Sequence, residues 1–312
     1  MLASPQPLSL LIPLEPTMSR IGLLQFTDGV DGATLTQHAQ RLEQLGYDTL
    51  WIPEIFGREP AATCGWLLAR TEKLRVCSGI FNVYARDAHA AAQIGNTLAE
   101  FSGGRFTLGL GVSHPVLVEP RGHVFEPPAR KMRQYVSAVR GVQVDGCQAP
   151  VPAPIVLAGH GPKLMQVAAD LADGLFLYLQ PAQQIAQARK LLGPDKEIHA
   201  VVRTVRATNA AEARRVARSA LGFYMQLPAY HRAWTAAGFN AADFADGGSD
   251  RLIDTIAPWG DETQLRAVLQ TYFEAGASHV SLYPIHPEDD YQPGKAGGLL
   301  WDWPTLEMLA PR

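Results

Sequence analysis

The run Gly159-His160-Gly161-Pro162-Lys163 joins an apolar stretch, Ile155 to Ala158, to a segment of helical period that opens on Pro162. Glycines at a strand-to-helix turn leave the first helical amides free to point outward. Together with the positive end of the helix dipole they make a seat for a phosphate, to which Lys163 adds charge. Such glycine pairs also occur without any ligand. A second cluster lies in the loop from Ser113 to Pro128, where His114, Arg121, His123 and Glu126 stand close in sequence. His114 and His123 are candidates to move protons to or from a substrate, because imidazole titrates nearest to neutral pH; most loop histidines are simply solvated. This loop has no i, i+4 histidine pair and no carboxylate–histidine motif, so no metal is expected. Glu54, after Trp51 and Pro53, is a candidate for acid–base work or hydrogen bonding, set against the plainer roles of cap or salt bridge.

Residues this far apart meet only on a scaffold that gathers loops at one face. From Ser19 onward, short β-rich runs alternate with segments of helical period, the pattern of repeated βα units. Strands are predicted at Ile21 to Phe26, Asp48 to Pro53, Leu74 to Phe81, Phe106 to Gly111, Ile155 to Ala158, Leu175 to Leu179, Ile198 to Val205 and His279 to Tyr283. The intervening stripes fit helices: Leu35, His38, Ala39, Leu42 and Leu45 before Gly46, for example, and Leu265, Val268, Leu269, Tyr272 and Phe273 after an Asp261–Gln264 capping box. One unbroken series favours an α/β fold with a single closed (β/α)8 TIM barrel and insertion segments over an open doubly wound sheet. Chemistry is then expected at the strand ends Thr27, Glu54, Gly79 to Asn82, Val112 to His114, Gly159 to Gly161, Gln180, Arg206 and Pro284 to His286. The long stretch from Met225 to Pro258 is an insertion, and Trp234, Phe239, Trp259, Trp301 and Trp303 supply either pocket walls or core packing.

Residues 1–17 are expected to form a disordered extension before a barrel domain spanning 18–312. The apolar stretch Ser9 to Leu14 is broken by Pro13, with no basic residue before it and no small-residue cleavage site after it, so a signal peptide is not expected. Lysine plus arginine (27) against aspartate plus glutamate (30) leaves a net charge of −3 with no basic block, which argues against nucleic-acid and anionic-membrane partners. The apolar runs are far shorter than a spanning helix requires. Cys64, Cys77 and Cys147 are odd in number and widely spaced, which fits a reducing cytoplasm better than a disulfide framework. Cys77, inside an apolar run, reads as a core residue.

The run Gly79-Ile80-Phe81-Asn82-Val83-Tyr84-Ala85-Arg86-Asp87, a helix, and then Ser102-Gly103-Gly104-Arg105-Phe106-Thr107-Leu108-Gly109-Leu110-Gly111 closely resembles the bacterial luciferase-like flavin and deazaflavin oxidoreductases. Gly46 to Glu54, Pro154 to Gly159 and Ala172-Asp173-Gly174 agree in the same order, and the likeness extends from Met18 to about Tyr283. Gly57-Arg58-Glu59-Pro60, Gly111-Val112-Ser113-His114-Pro115 and Arg121-Gly122-His123 bring the chain nearer to the members that use coenzyme F420.

The resemblance implies an oxidoreductase that passes a hydride between F420 and a small organic substrate. FMN with a two-component monooxygenase activity stays open, as does a non-catalytic flavin- or deazaflavin-binding protein. It also implies a bulge with a non-prolyl cis bond at Gly79–Ile80 beneath the carrier's ring. Asn82 and Ser113 would then stand at the ring's polar edge, and Gly159, His160 and Gly161 at its phosphate. Several relatives place histidine after the acidic residue of strand two; here that position is Ile55, so the usual proton donor is absent and Glu54, His114 and His123 remain as catalytic candidates. A homodimer and a separate reductase supplying reduced carrier complete what the likeness implies.

Overall fold

A computed structural model describes residues 20–291 and 297–311; the extension expected over 1–17 lies outside the described residues. Eight parallel strands make up the barrel: β1 (Ile21–Leu24), β2 (Thr49–Ile52), β3 (Arg75–Ser78), β4 (Phe106–Gly111), β5 (Ile155–Ala158), β6 (Gly174–Tyr178), β7 (Glu197–Arg206) and β8 (His279–Pro284). They pair in sequence order, and β8 closes the ring by pairing with both β7 and β1, Tyr283 standing opposite Arg203 and Val280 opposite Ile21. The expected (β/α)8 barrel is therefore present, with all eight strands overlapping their predicted positions.

Around it run α1 (Gly32–Gln44), α2 (Pro60–Leu68), α3 (Ala88–Ser102), α4 (Pro128–Gly141), α5 (Pro162–Leu171), α6 (Ala182–Leu192), α7 (Ala210–Leu221), the insertion helices α8 (Pro228–Ala236) and α9 (Asp250–Ile256), then α10 (Glu262–Glu274) and a terminal α11 (Trp303–Met308). The predicted capping box is made: Asp261 Oδ1 accepts from the Gln264 amide at 2.9 Å and Gln264 Oε1 accepts from the Asp261 amide at 3.0 Å. No helix among the described residues is long and apolar enough to cross a membrane.

Strand alternation sorts each side chain to the bore or to the helices. On β7, Ile198, Ala200 and Val202 join the core beneath the ring helices. Val201 and Val205 join a second core of bore and insertion residues that includes Leu24, Trp51, Phe176, Tyr178 and Tyr283. His199 and Arg203 share the parity of Val201 and therefore lie in the bore, at its base and in its upper layer. Cys77 is buried there, its thiol pushed up to about 12 by burial, which leaves it an inert packing residue. Trp301 and Trp303 stack on each other, His38 of α1 meets them tilted and edge-on, and Trp234 donates from Nε1 to the Leu179 carbonyl at 2.9 Å, so these tryptophans pack core.

Strand three departs from the continuous run predicted over Leu74 to Phe81. It stops at Ser78, passes through Gly79–Ile80, whose bond is cis, and resumes at Phe81–Asn82 beside Leu110–Gly111 of β4. Glycines make room for this step: a Cβ on Gly79 would sit 2.8 Å from Trp51 Cβ, and one on Gly109 would sit 1.9 Å from the Ser78 oxygen. A Cβ on Gly111 would come 2.5 Å from Ile80 Cδ1. The Gly-x-Gly pattern in β4 thus has a steric cause in β3.

Candidate active site

The step at the end of β3 is braced from below. Glu54, at the end of β2, takes Arg86 Nη1 on Oε2 at 2.8 Å and Nη2 on Oε1 at 3.0 Å, and Oε2 also accepts the Asn82 amide at 2.7 Å. Both side chains are nearly sealed, 7% exposed for Glu54 and 11% for Arg86, and Arg86 lies over the Phe81 ring. The carboxylate that was a candidate for acid–base work is thereby committed to holding the ledge in place. Asn82 is buried, and its Oδ1 accepts from the Tyr84 amide at 3.0 Å, closing an Asx turn. That leaves Nδ2 as its only polar side-chain atom without a partner among the described residues. At or just after the C-terminal ends of β2, β3 and β5, Ile55, Ile80 and Ala158 are only partly covered apolar residues, and a Cβ on Gly111 would meet both Ile80 and Ala158.

On the neighbouring side, Gly161 caps α5 in an extended conformation with no side-chain bond to the first helical amides. A Cβ added there would meet nothing within 4 Å, so the backbone before α5 is open to a ligand. Gly159 is packed, since a Cβ would come 2.6 Å from Leu164 Cβ, and Lys163 is exposed. Ser113 sits half-buried with φ of 59° just before His114.

The structure separates the two loop histidines that sequence placed together. His114 turns inward beside Tyr230 of α8, 5.8 Å between ring centroids, and His160 lies on the same tyrosine at 5.0 Å. Burial pushes His114 down to about 4; burial, then the neighbouring His114, pushes His160 down to about 3. Both are neutral imidazoles at pH 7. His160 Nδ1 is buried without a hydrogen bond, and its ring packs on Tyr230 of α8. His123 is exposed and packs on Tyr84 at 5.9 Å, lining with Arg86 and Lys131 a cavity of about 460 Å³. The short helical turn at Pro115–Val118 and the following 3-10 turn stand between it and His114 along the loop.

Two groups in the bore were missed by sequence reasoning. In the upper layer, fully buried Arg203 contacts Tyr178 and Tyr283, with Tyr291 and Tyr224 close enough to act on its charge. At the base, His199 and His279 stack at 4.6 Å. Glu197 Oε2 lies 3.0 Å from His199 Nε2, Glu197 Oε1 lies 3.5 Å from His279 Nε2, and Asp48 Oδ2 lies 3.1 Å from His279 Nδ1. Burial alone pulls His279 down, but hydrogen bonds and charge from Asp48 and Glu197 outweigh it and hold the imidazole above its usual value. Among the described residues, Glu197, His199 and His279 are the one group whose ligand atoms approach closely enough to hold a metal, but Arg20 Nη1 lies 3.4 Å from His279 Nε2 and disfavours a cation there. The signal for both groups was parity: Glu197, His199 and Arg203 are polar positions on the same face of β7.

The profile of the luciferase-like monooxygenase family matches residues 18–279, which include the ledge, its brace and the Gly159–Gly161 turn. The chain belongs to this family. A 5,10-methylenetetrahydromethanopterin reductase of Methanolobus tindarius is 27% identical to this luciferase-like chain over 189 residues, 53% of this chain and 58% of that protein. A Mycobacterium tuberculosis protein provisionally named a coenzyme F420-dependent oxidoreductase is 30% identical over 165 residues, 42% of this chain and 47% of that one. The chain spans about half the length of the curated relatives it matches. The coenzyme F420 dependent tetrahydromethanopterin reductase from Methanopyrus kandleri superposes with a TM-score of 0.66 at 16% identity, covering 84% of this chain and 92% of that chain, a likeness of fold.

Proposed function

We propose that this luciferase-like chain is an oxidoreductase that uses coenzyme F420 to transfer a hydride to or from a small organic substrate. The observation that carries the reading is the partly uncovered apolar ledge of Ile55, Ile80 and Ala158, standing over a step that a buried ion pair holds in place. The residues fit a tricyclic carrier on three counts: that ledge for the ring, Asn82 Nδ2 for its polar edge, and the open backbone at Gly161 for a phosphate. The F420 named for a relative and for a structural neighbour supports the choice of carrier.

When bound, F420 supplies or accepts the hydride. The chain's own residues do the rest: Glu54 and Arg86 fix the ledge, and the aromatic cover from the insertion keeps water from the mouth. His114, neutral at pH 7, holds a proton on its imidazole for the substrate atom on which charge develops. The free, unpaired cysteines support a reducing, cytoplasmic setting, and a homodimer and a separate reductase belong to the same proposal.

Anaerobic titration with F420 and with FMN tests the reading, followed by turnover of the reduced carrier with a panel of aldehydes, enones and alcohols. Submicromolar FMN binding with no F420 binding replaces it with the two-component monooxygenase. Tight F420 binding with no turnover across the panel favours a carrier-binding protein.

A further inference from the structure

Arg203 is 0% exposed, in the upper layer of the bore. Nη1 donates to the Tyr178 hydroxyl at 3.2 Å, and the guanidinium lies 3.9 Å from the Tyr283 ring centre. Burial pushes both phenols up, so neither carries a counter-charge at neutral pH. Among the described residues no carboxylate pairs with this arginine. A buried cation left in that state weakens a fold unless something outside the chain answers it.

The unpartnered atoms are Nε and Nη2, the two donors on one edge of the guanidinium. This is the edge that takes a carboxylate by both oxygens. The chain uses it twice elsewhere. Arg214 Nε and Nη2 reach Asp254 Oδ1 and Oδ2 at 2.9 and 2.6 Å, and Arg215 Nε and Nη2 reach Glu212 Oε2 and Oε1 at 2.9 and 2.7 Å. At Arg203 the same edge is empty of partners. Arg203 lies on β7, four strands from β3 in a ring of eight, so it faces the ledge across the bore.

We propose that Arg203 binds the carboxylate of an organic acid substrate, with the reacting carbon held between this residue and the ledge. The position of the reacting carbon rests on the oxidoreductase reading above; the carboxylate site stands without it. Tyr224 and Tyr230 pack edge-on against Tyr178, the hydroxyl partner of Arg203, and Gly297 packs on Phe26 and Tyr283, where an added Cβ would come 2.1 Å from Phe26 Cε2. A ligand therefore reaches Arg203 by displacing this packing.

Acetate is the probe, with thermal unfolding of the full chain followed at constant ionic strength against chloride and neutral acetamide. Acetate is expected to raise the melting temperature saturably while the two controls do not. R203M, uncharged and similar in length, loses the response and in the absence of acetate melts no lower than the native chain. R203K keeps the charge without the fork, binds acetate roughly 10- to 100-fold more weakly, and carries the test if R203M does not fold. No acetate response, an equal response to chloride, or a response unchanged in the variants overturns the proposal; so does R203M melting lower with its acetate response intact, which marks a structural brace. F420 and FMN titrations run in parallel keep the two readings apart. Loss of carrier binding in R203M overturns the substrate assignment, whereas a native chain that binds neither carrier but keeps an Arg203-dependent acetate response overturns the carrier reading alone.

Discussion

At the base of the bore, His279 lies between Asp48 and Glu197, with His199 and Arg20 beside them. In its upper layer, Arg203 lies among tyrosines with two donors unanswered. Both groups involve β7, and both use the inward parity of that strand. At the base each charge faces an opposite one, the arrangement of a plug that holds the ring of strands together. At the mouth the charge has no carboxylate partner among the described residues, the arrangement of a place made for something else. The number of buried polar residues therefore says little about function; whether their charges close among themselves says more. The ledge brace belongs with the base in this respect, since Glu54 and Arg86 pair completely although they stand at the mouth.

The largest effect should come from that brace. Glu54→Ala leaves Arg86 nearly buried with only Glu59, at 3.3 Å, in reach. A cost of about 3–5 kcal/mol is expected, read by urea unfolding, together with loss of carrier binding as the Asn82 amide loses its acceptor. A cost under about 1 kcal/mol would remove the ledge from the class of closed pairs. Glu197→Gln at the base should cost less, about 2 kcal/mol, because its side chain is 31% exposed and solvent screens it. Carrier binding should be untouched. Set beside R203M, this variant reverses the sign: removing a charge weakens the base and does not weaken the mouth. Equal losses at both ends would erase the distinction.

Most of the barrel was legible in the sequence because strand and helix periods are local properties. Gly46, Gly103 and Gly276, each with positive φ where a helix ends, mark boundaries that need no tertiary information. The step in strand three was legible only through resemblance, since Val76-Cys77-Ser78-Gly79-Ile80-Phe81 reads locally as one apolar run and the reason for the break lies in Gly109 and Gly111 of another strand. The loop histidines could not be sorted because a loop has no period to say which way its side chains face. Arg203 was open to notice: an arginine inside an apolar β-run, four residues from His199, must share that histidine's face. Tyr230 gave no such signal, since only the packing of α8 over the mouth brings it to His114 and His160.

Asn82 sharpens the comparison at one residue, since one atom of its carboxamide is closed within the chain and the other is not. Asn82→Ala removes the acceptor for the Tyr84 amide and should cost about 1–2 kcal/mol in unfolding free energy. If Nδ2 serves the carrier, affinity for F420 should also fall, by roughly tenfold, in a fluorescence titration. Loss of stability with unchanged affinity would return Asn82 wholly to the turn.

The smallest effect concerns pH, and it asks whether the mouth is as dry as its geometry makes it. In the folded chain His114 and His160 are pushed from 6.5 down to about 4 and about 3. Between pH 6.5 and about 4 the unfolded chain therefore binds protons that the folded chain refuses, and stability falls as pH falls through that window. His160→Gln removes one such proton and should flatten the slope by up to about 1.4 kcal/mol per pH unit. His199 at the base, pushed down to about 4 by burial, adds a slope of the same sign in both proteins, so the difference between native and variant isolates the mouth. The rings around His160 are the neutral His114 and Tyr230, and no carboxylate is paired with it to offset the cost of charging it. Coincident unfolding curves from pH 6.5 to 4.5 would mean that water reaches His160 and lets it titrate normally, in which case the tyrosine cover is open and the contrast between a sealed mouth and a self-paired base falls.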